Sequence, residues 1–224
     1  MDVIIVSKTK MNNGVCVGGV LANGRFVRLL QSNGYNQYSD TEFEIGDVYT
    51  ITFSERQNAV PPHVEDILVN TFEHKFTFET IDKMVEYLTD KLKIKIWRGS
   101  PDILFDNCLL WTDNGSGYAS EEGGIPEHSV GFWIPDRDLK KKIFHKKVRY
   151  SYPKTTNWRS MPYVGFEEAV ETIPAGTLVR VSLARWWDTN GTTEDRCSLQ
   201  LSGWYGLPEE EAEAYISEED DLPF

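Results

Sequence analysis

The chain is poor in basic residues, in cysteine and in long apolar runs. It has 23 Lys and Arg against 35 Asp and Glu, which gives a formal net charge of −12 over 224 residues. No apolar run reaches membrane-spanning length and no basic-then-apolar segment opens the chain, so we expect a cytoplasmic protein with no membrane partner. The three cysteines lie far apart, which favours free buried thiols over a disulfide framework.

Catalytic signatures are also absent from the sequence. It has no Gly-x-x-x-x-Gly-Lys-Ser/Thr phosphate loop, no His-Glu-x-x-His and no Cys-x-x-Cys. The most site-like polar cluster is His63, Glu65 and Asp66, directly after Pro61-Pro62. Such a trio is compatible with a metal or small-ligand site, but more often it caps its own loop. We therefore expect a protein that is not an enzyme and that uses no metal or cofactor.

The basic side chains are concentrated in one segment. Residues 136–160 carry nine basic side chains against two acidic ones, a difference of +7. A segment of this kind can hold a polyanion locally on an acidic chain. The alternative is a solvated, lysine-rich edge strand that prevents aggregation. The candidate nucleic-acid contacts in this segment are Lys140, Lys141, Lys142, Lys146, Lys147, Arg149 and Tyr150.

Residue patterning predicts many short strands and one helix. Asn23-Gly24 marks a hairpin, and Gly18-Gly19 marks a bend or bulge in its first strand. A helix is predicted over residues 77–92, because apolar residues recur there on one face. The fold class is therefore mainly β, in small barrels rather than a parallel α/β sheet. Strands are predicted at residues 3–6, 15–22, 25–31, 47–54, 93–97, 103–111, 129–134, 143–152, 177–187 and 196–205.

The last two predicted strands form a hairpin with one polar face. A register that pairs Trp186 with Arg196 and Ser182 with Gln200 places every polar side chain on the same side. Arg180 and Trp204 join that face, which then offers arginines for phosphates and indoles for bases. Stacking of a base on an aromatic ring is worth roughly 1–3 kcal/mol. Burial of the two tryptophans at a junction between barrels remains equally open.

The body of the chain resembles a known family. Lys8 to Leu30 is similar to the opening of the prokaryotic dual-OB-fold family, with Phe26 in place of a Trp and Leu29 in place of a Pro. Residues 62–66, 129–132, 182–187 and 197–205 resemble later family segments. The resemblance runs along most of residues 3–205 and implies two OB-like barrels; it indicates the fold more than an activity.

The C-terminal tip carries a second resemblance. The chain ends in four carboxylates followed by Leu-Pro-Phe, and folding does not require such an ending. The tip resembles that of bacterial and phage single-stranded DNA-binding proteins, which implies recruitment of replication and repair proteins. The alternative is a solubilising acidic tail. The predicted partner-binding residues are Asp220, Asp221, Leu222, Pro223 and Phe224.

Four segments follow from these patterns. They are a first OB-like half over residues 1–111, a Gly-rich linker over 112–128, a second OB-like half over 129–207 and a disordered acidic tail over 208–224. The leading hypothesis is a protein that binds single-stranded DNA, with RNA possible, and recruits partners through its tip. A phage or mobile-element adaptor that mimics the tip remains open, as does a nucleotide-sensing module. The sequence leaves the oligomeric state open.

Overall fold

The computed structural model describes residues 1–11, 13–154, 158–187 and 195–206. The described part is mostly β, which confirms the predicted fold class. Within it, no helix is long and apolar enough to span a bilayer. The strands of the first half are β1 (Asp2–Lys10), β2 (Val15–Leu21), β3 (Phe26–Gln31), β4 (Asp47–Glu55) and β5 (Asp66–Thr77). Those that follow are β6 (Ile96–Arg98), β7 (Leu110–Trp111), β8 (Gly117–Ala119), β9 (Val130–Ile134), β10 (Leu139–Phe144), β11 (Lys147–Tyr152), β12 (Arg159–Pro162), β13 (Thr172–Ile173), β14 (Leu178–Leu183) and β15 (Cys197–Tyr205).

The first five strands close into a barrel in the order β1-β2-β3-β5-β4, with β3 and β5 parallel. The β2–β3 turn has Gly24 at φ +84°, as the Asn-Gly signal predicts. The β1–β2 register shifts between Ile5 and Ser7, opposite Gly18-Gly19, so a bulge lies at this level, but its extra residue is Val6 of β1 and not a residue of β2, where it is predicted. A bulge increases the local twist of its strand, which helps a five-stranded sheet to close.

The second half contains two sheets around one core. A six-stranded sheet has the order β6-β9-β14-β15-β8-β7, and a four-stranded sheet has the order β12-β11-β10-β13. The apolar cluster between them takes Trp133, Val179 and Leu199 from the first sheet and Tyr150 and Met161 from the second. β6 and β7 lie within residues 1–111 but pair with strands of this half, so its hydrogen bonding begins at Ile96. The division at residues 111 and 128 stays a prediction about folding units.

A third apolar cluster joins the two halves. It combines Ile4 and Val6 of the barrel, Met84 of the helix, and Phe132 and Tyr205 of the six-stranded sheet. The hydroxyl of the buried Tyr205 donates a hydrogen bond to the Val6 carbonyl. Because these apolar side chains are buried together, the junction between the two halves is part of the folded core.

The predicted helix is shorter than its pattern indicates. The α-helix α1 (Ile81–Glu86) begins after the N-cap Thr80 and continues as one π-helical turn, Tyr87–Lys91. Residues 66–77, for which the sequence analysis predicts no strand, form the long β5, and its barrel pairing overrides the local preference. Most of the strand predicted at residues 103–111 is instead a pair of 3-10 turns, Pro101–Asn107.

The register of the last hairpin is only partly as predicted. Ser182 pairs with Gln200 as predicted. Between that pair and Trp204, β15 contains one extra residue opposite the step from Val181 to Arg180, and this bulge places Trp204 opposite Val179. An extra residue in one strand reverses the face on which later side chains lie. The indole of Trp204 therefore packs in the core. At the other end Arg196 pairs with Trp187 rather than Trp186, so Trp187 occupies the exposed position.

Candidate nucleic-acid interface

A wide groove crosses the polar faces of both sheets in the second half and has a volume of about 1150 Å³. Five basic side chains and one acidic side chain, Glu167, line it. Because the whole chain carries −12, this is a local reversal of sign. We call it the basic groove; its basic lining residues are Lys10, Lys147, Arg149, Arg185 and Arg196.

Arg149 contributes a cation to the groove without an acidic partner among the described residues. Its Nε donates to the Ser160 hydroxyl at 2.7 Å, and its Nη2 donates to the Ser116 hydroxyl at 2.9 Å. Partial burial lowers the pKa of Arg149, but an arginine remains cationic at neutral pH. Neutral partners fix the guanidinium in place and leave its charge available to an anion.

The aromatic part of the groove lies beside this cation. The Arg196 guanidinium stacks over the Tyr118 ring at 4.0 Å from the ring centroid. Its Nε is buried without a hydrogen-bond partner in the described part of the chain. Trp187, whose backbone pairs with that of Arg196, is 71% exposed. An exposed indole next to a stacked guanidinium provides one face for a base and one charge for a phosphate.

A second, smaller pocket extends the same surface. Lys140, Lys142 and Lys154 line it with Trp158, which is 56% exposed. The Lys142 ammonium lies 4.7 Å from the Trp158 ring centroid. Lys142 pairs directly with Arg149 across β10 and β11, so this lysine pocket and the basic groove share one sheet face.

The structure separates the sequence-predicted contacts into two groups. Lys147, Arg149 and Arg196 come together in the groove, while Lys140 and Lys142 lie in the lysine pocket. Lys146 is exposed at the tight β10–β11 turn, with φ +62°. Lys141 lies on the opposite sheet face and pairs with Glu171 at 2.6 Å. That these residues contact nucleic acid remains a proposal.

Four other predicted contacts are directed inward and do not form a stacking face. Tyr150 is 0% exposed and Trp204 is 7% exposed, with their rings 5.9 Å apart. Arg180 is 5% exposed at the junction of the two halves. The Trp186 indole donates to the Pro61 carbonyl oxygen at 2.8 Å, so it covers the junction, as the alternative interpretation expects. The predicted tip at residues 220–224 lies outside the described residues.

Sequence reasoning missed three side chains of this surface: Trp187, Tyr118 and Trp158. The Trp186-Trp187 pair is enough to predict one outward indole, because adjacent residues of a strand point to opposite faces of the sheet. Nothing in the Gly-rich segment 112–128 indicated that Tyr118 would lie beneath an arginine. That segment contains β8 and forms one wall of the groove.

The predicted polar cluster at residues 63–66 is part of the junction between the halves. Asp66 is 3% exposed and pairs with Arg28 at 2.5 Å, Arg56 at 2.7 Å and Arg185 at 2.8 Å. Glu65 accepts hydrogen bonds from the backbone N–H of Ser129 at 2.5 Å and from its hydroxyl at 2.8 Å. The contact with Asp66 holds Arg185, just after β14, against the barrel.

His63 is the neutral member of this cluster. Its Nε2 lies 3.1 Å from the Ala184 carbonyl oxygen and 3.6 Å from the Cys197 sulfur. Burial, together with the charge of Arg28, lowers the pKa of His63 to about 4. The cavity beside His63 is lined by Ser129 but by no residue of the Gly-rich segment 112–128. Among the described residues no group of His, Cys, Asp and Glu is arranged to hold a metal ion.

The low pKa of His63 predicts a pH-dependent stability. Between the unfolded value of about 6.5 and the folded value of about 4, the unfolded chain binds a proton that the folded chain does not. The free energy of unfolding should therefore fall as the pH drops through this window. We expect H63Q to show a shallower fall than the wild type in urea titrations, and H128Q, at an exposed histidine, to follow the wild type. Equal slopes for H63Q and the wild type would contradict this.

The chain belongs to the dual OB-containing domain family, whose model matches residues 1–204. This confirms the resemblance found along the body of the sequence. No curated protein matches the chain. The family assignment and the closed β1–β5 barrel agree, because a five-stranded Greek-key barrel defines the OB fold.

Solved structures resemble the chain only weakly. An Ifi202 HINa domain in complex with double-stranded DNA is 12% identical, with a TM-score of 0.33 over 91% of this chain and 90% of that chain. A murine DNA-binding protein bound with double-stranded DNA is 11% identical, with a TM-score of 0.28 over 91% and 92%. A structure described as "Structural mimicry for functional antagonism" is 10% identical, with a TM-score of 0.34 over 91% and 87%. Similarities this low carry no functional argument.

Proposed function

We propose that this protein binds single-stranded nucleic acid, with DNA the first choice and RNA the second, along the basic groove and the lysine pocket. One observation carries the proposal: the exposed Trp187 lies beside the Arg196–Tyr118 stack in a groove with five cations and one carboxylate. Unpaired bases present flat faces to aromatic rings, while arginine and lysine replace the counterions of the phosphates. No covalent chemistry is required, so we propose a non-enzymatic, cytoplasmic protein.

Trp187→Ala tests this proposal directly. Loss of one stacked base costs roughly 1–3 kcal/mol, so we expect the affinity for oligo-dT to fall about 5- to 100-fold. Because Trp187 is exposed, the free energy of unfolding should change little. Fluorescence anisotropy of labelled oligo-dT measures the first quantity and urea unfolding measures the second.

Tyr35→Ala is the matched control, because Tyr35 is an equally exposed aromatic residue on the barrel, 72% exposed and outside the basic groove. Its affinity for oligo-dT should equal that of the wild type. If Trp187→Ala binds as tightly as Tyr35→Ala, the base-stacking role of Trp187 is wrong.

We further propose that the acidic C-terminal residues recruit replication or repair proteins. The supporting feature is the sequence itself, in which the terminal segment from Glu209 carries eight acidic side chains and ends in Leu-Pro-Phe. A partner pocket with a basic rim would match both the carboxylates and Phe224. If the body binds no nucleic acid while the tip still captures such a partner, the second candidate function, a phage or mobile-element adaptor that mimics this tip, is favoured.

Deletion of residues 209–224 tests whether the acidic segment competes with nucleic acid for the groove. It removes eight negative charges, so affinity for oligo-dT should rise at low salt and the gain should shrink as salt screens the charges. Phe224→Ala keeps every acidic side chain and should leave DNA affinity unchanged while it abolishes partner capture. Unchanged affinity after the deletion would exclude the competition.

A further inference from the structure

A further cavity, separate from the lysine pocket, lies between the barrel and the six-stranded sheet and has a volume of about 220 Å³. It shares Ala184, Arg185 and Gln200 with the basic groove, so the two adjoin. Three guanidinium groups line it: those of Arg28, Arg180 and Arg185. We call it the arginine cavity.

Arg180 is the unusual member of this cavity. It is 5% exposed, its Nη1 donates to the Ser202 hydroxyl at 3.2 Å, and its Nε has no hydrogen-bond partner. Within the described part of the chain no carboxylate pairs with it. A buried guanidinium without a counter-charge is costly, and proteins normally avoid it.

The two carboxylates of this junction do not balance its arginines. Glu65 lines the cavity and supplies one negative charge, and its two oxygens accept hydrogen bonds from Ser129 rather than from Arg180. Asp66 already pairs with Arg28, Arg56 and Arg185. The four arginines and two carboxylates of this junction leave a formal excess of two positive charges. Arg28, like Arg180, has a buried Nε without a partner.

The barrel is shaped to receive the Arg180 side chain. A Cβ placed on Gly18 would lie 2.5 Å from the Arg180 Nη2 and 2.5 Å from the Ser7 hydroxyl oxygen. Glycine at this position therefore lets the guanidinium lie against the β2 backbone. The fold holds this uncompensated charge at the wall of a space large enough for several water molecules.

We propose that the arginine cavity binds a phosphate monoester, either on a free mononucleotide or at the end of a nucleic-acid strand. A phosphate monoester carries about −1.5 to −2 charges at pH 7, which matches the excess of the junction. Planar guanidinium groups bind its oxygens in pairs. Binding of a free mononucleotide does not depend on the proposed function of the basic groove, whereas binding of a strand end rests on it.

The first test is thermal unfolding of the full chain with added inorganic phosphate, against sodium chloride at matched ionic strength. A ligand that binds only the folded state raises Tm with its concentration. We expect such a rise for the wild type with phosphate and none with chloride. The absence of a phosphate-specific rise would overturn the proposal.

Arg180→Met separates a ligand-binding arginine from a structural one. It removes the buried charge at similar volume, so the ligand-free Tm should stay the same or rise, while phosphate affinity falls about 10- to 100-fold. Arg180→Lys keeps the charge but loses the paired donors, and should retain an intermediate response. Arg98→Met, at an exposed arginine on the far end of β6, should respond like the wild type. A full phosphate response in Arg180→Met would overturn the assignment.

Two further titrations identify the source of the phosphate. If the cavity binds a strand end, a terminally phosphorylated oligo-dT should bind at least about 10-fold more tightly than its hydroxyl counterpart, and Arg180→Met should abolish the preference. If it binds a free nucleotide, dTMP should raise Tm as phosphate does, while the oligonucleotides show no preference. A phosphate response with no oligonucleotide binding at all would support the cavity and contradict the proposed function of the groove.

Discussion

The R149Q/R196Q protein should bind oligo-dT at least about 100-fold more weakly than the wild type at low salt, the largest loss of binding that we expect. A hydrogen bond to a charged group contributes about 1.5–3 kcal/mol, and both guanidinium groups face the groove without an acidic partner among the described residues. Each lost phosphate contact also reduces the slope of log K against log salt by about 0.7. Titrations at several salt concentrations therefore measure two quantities, the affinity at low salt and the slope of log K against log salt.

K83Q/K91Q is the matched control, because it removes the same number of positive charges at and beside α1, outside the groove. Its affinity and salt slope should stay close to those of the wild type. If the two double variants lose affinity equally, binding depends on overall charge, and the groove is not the site. The Ser116 and Ser160 hydroxyls can hydrogen-bond a glutamine at position 149, so we expect R149Q/R196Q to fold.

Asp66→Asn should cause the largest loss of stability among these variants, about 3–5 kcal/mol in the free energy of unfolding. Asp66 is 3% exposed and its carboxylate is the shared partner of Arg28, Arg56 and Arg185. The amide would leave three guanidinium groups at the junction without their anion. Urea unfolding should show a lower midpoint with an unchanged m-value if the native state remains compact.

Glu86→Gln provides the comparison for Asp66→Asn. It breaks an ion pair with Lys83 in which both side chains are more than 60% exposed, and exposed pairs contribute about 0–1 kcal/mol. A similar small effect for Asp66→Asn would show that the three arginines do not depend on Asp66. Because Arg185 also lines the basic groove, Asp66→Asn should weaken oligo-dT binding as well.

Local patterning was sufficient to predict much of the barrel. The hairpin at Gly24 depends on a positive-φ glycine conformation that the Asn-Gly signal encodes, and Gly18-Gly19 lie opposite the β1 bulge. The strand over residues 66–77 is absent from the prediction because it depends on a non-local partner, β4, with which β5 pairs along nearly its whole length. Single-sequence patterns contain little information about such partners.

The site was harder to predict than the fold, for a reason visible in the last hairpin. One bulge after Arg180 reverses the face of Trp204, and another shift makes Trp187, rather than Trp186, the outward indole. A bulge moves whole sets of side chains between core and surface, and the one local signal for it is Gly203, beside the extra residue Ser202. The concentration of lysine and arginine in residues 136–160 was the more dependable signal, since Lys147 and Arg149 do line the groove.

The salt dependence of oligo-dT binding to the full chain tests the groove most directly. Contacts from three to five of the groove cations should give log K falling against log salt with a slope of about −2 to −4, together with quenching of tryptophan fluorescence at low salt. An affinity that is undetectable at low salt, or a slope near zero, would contradict a nucleic-acid interface at this surface.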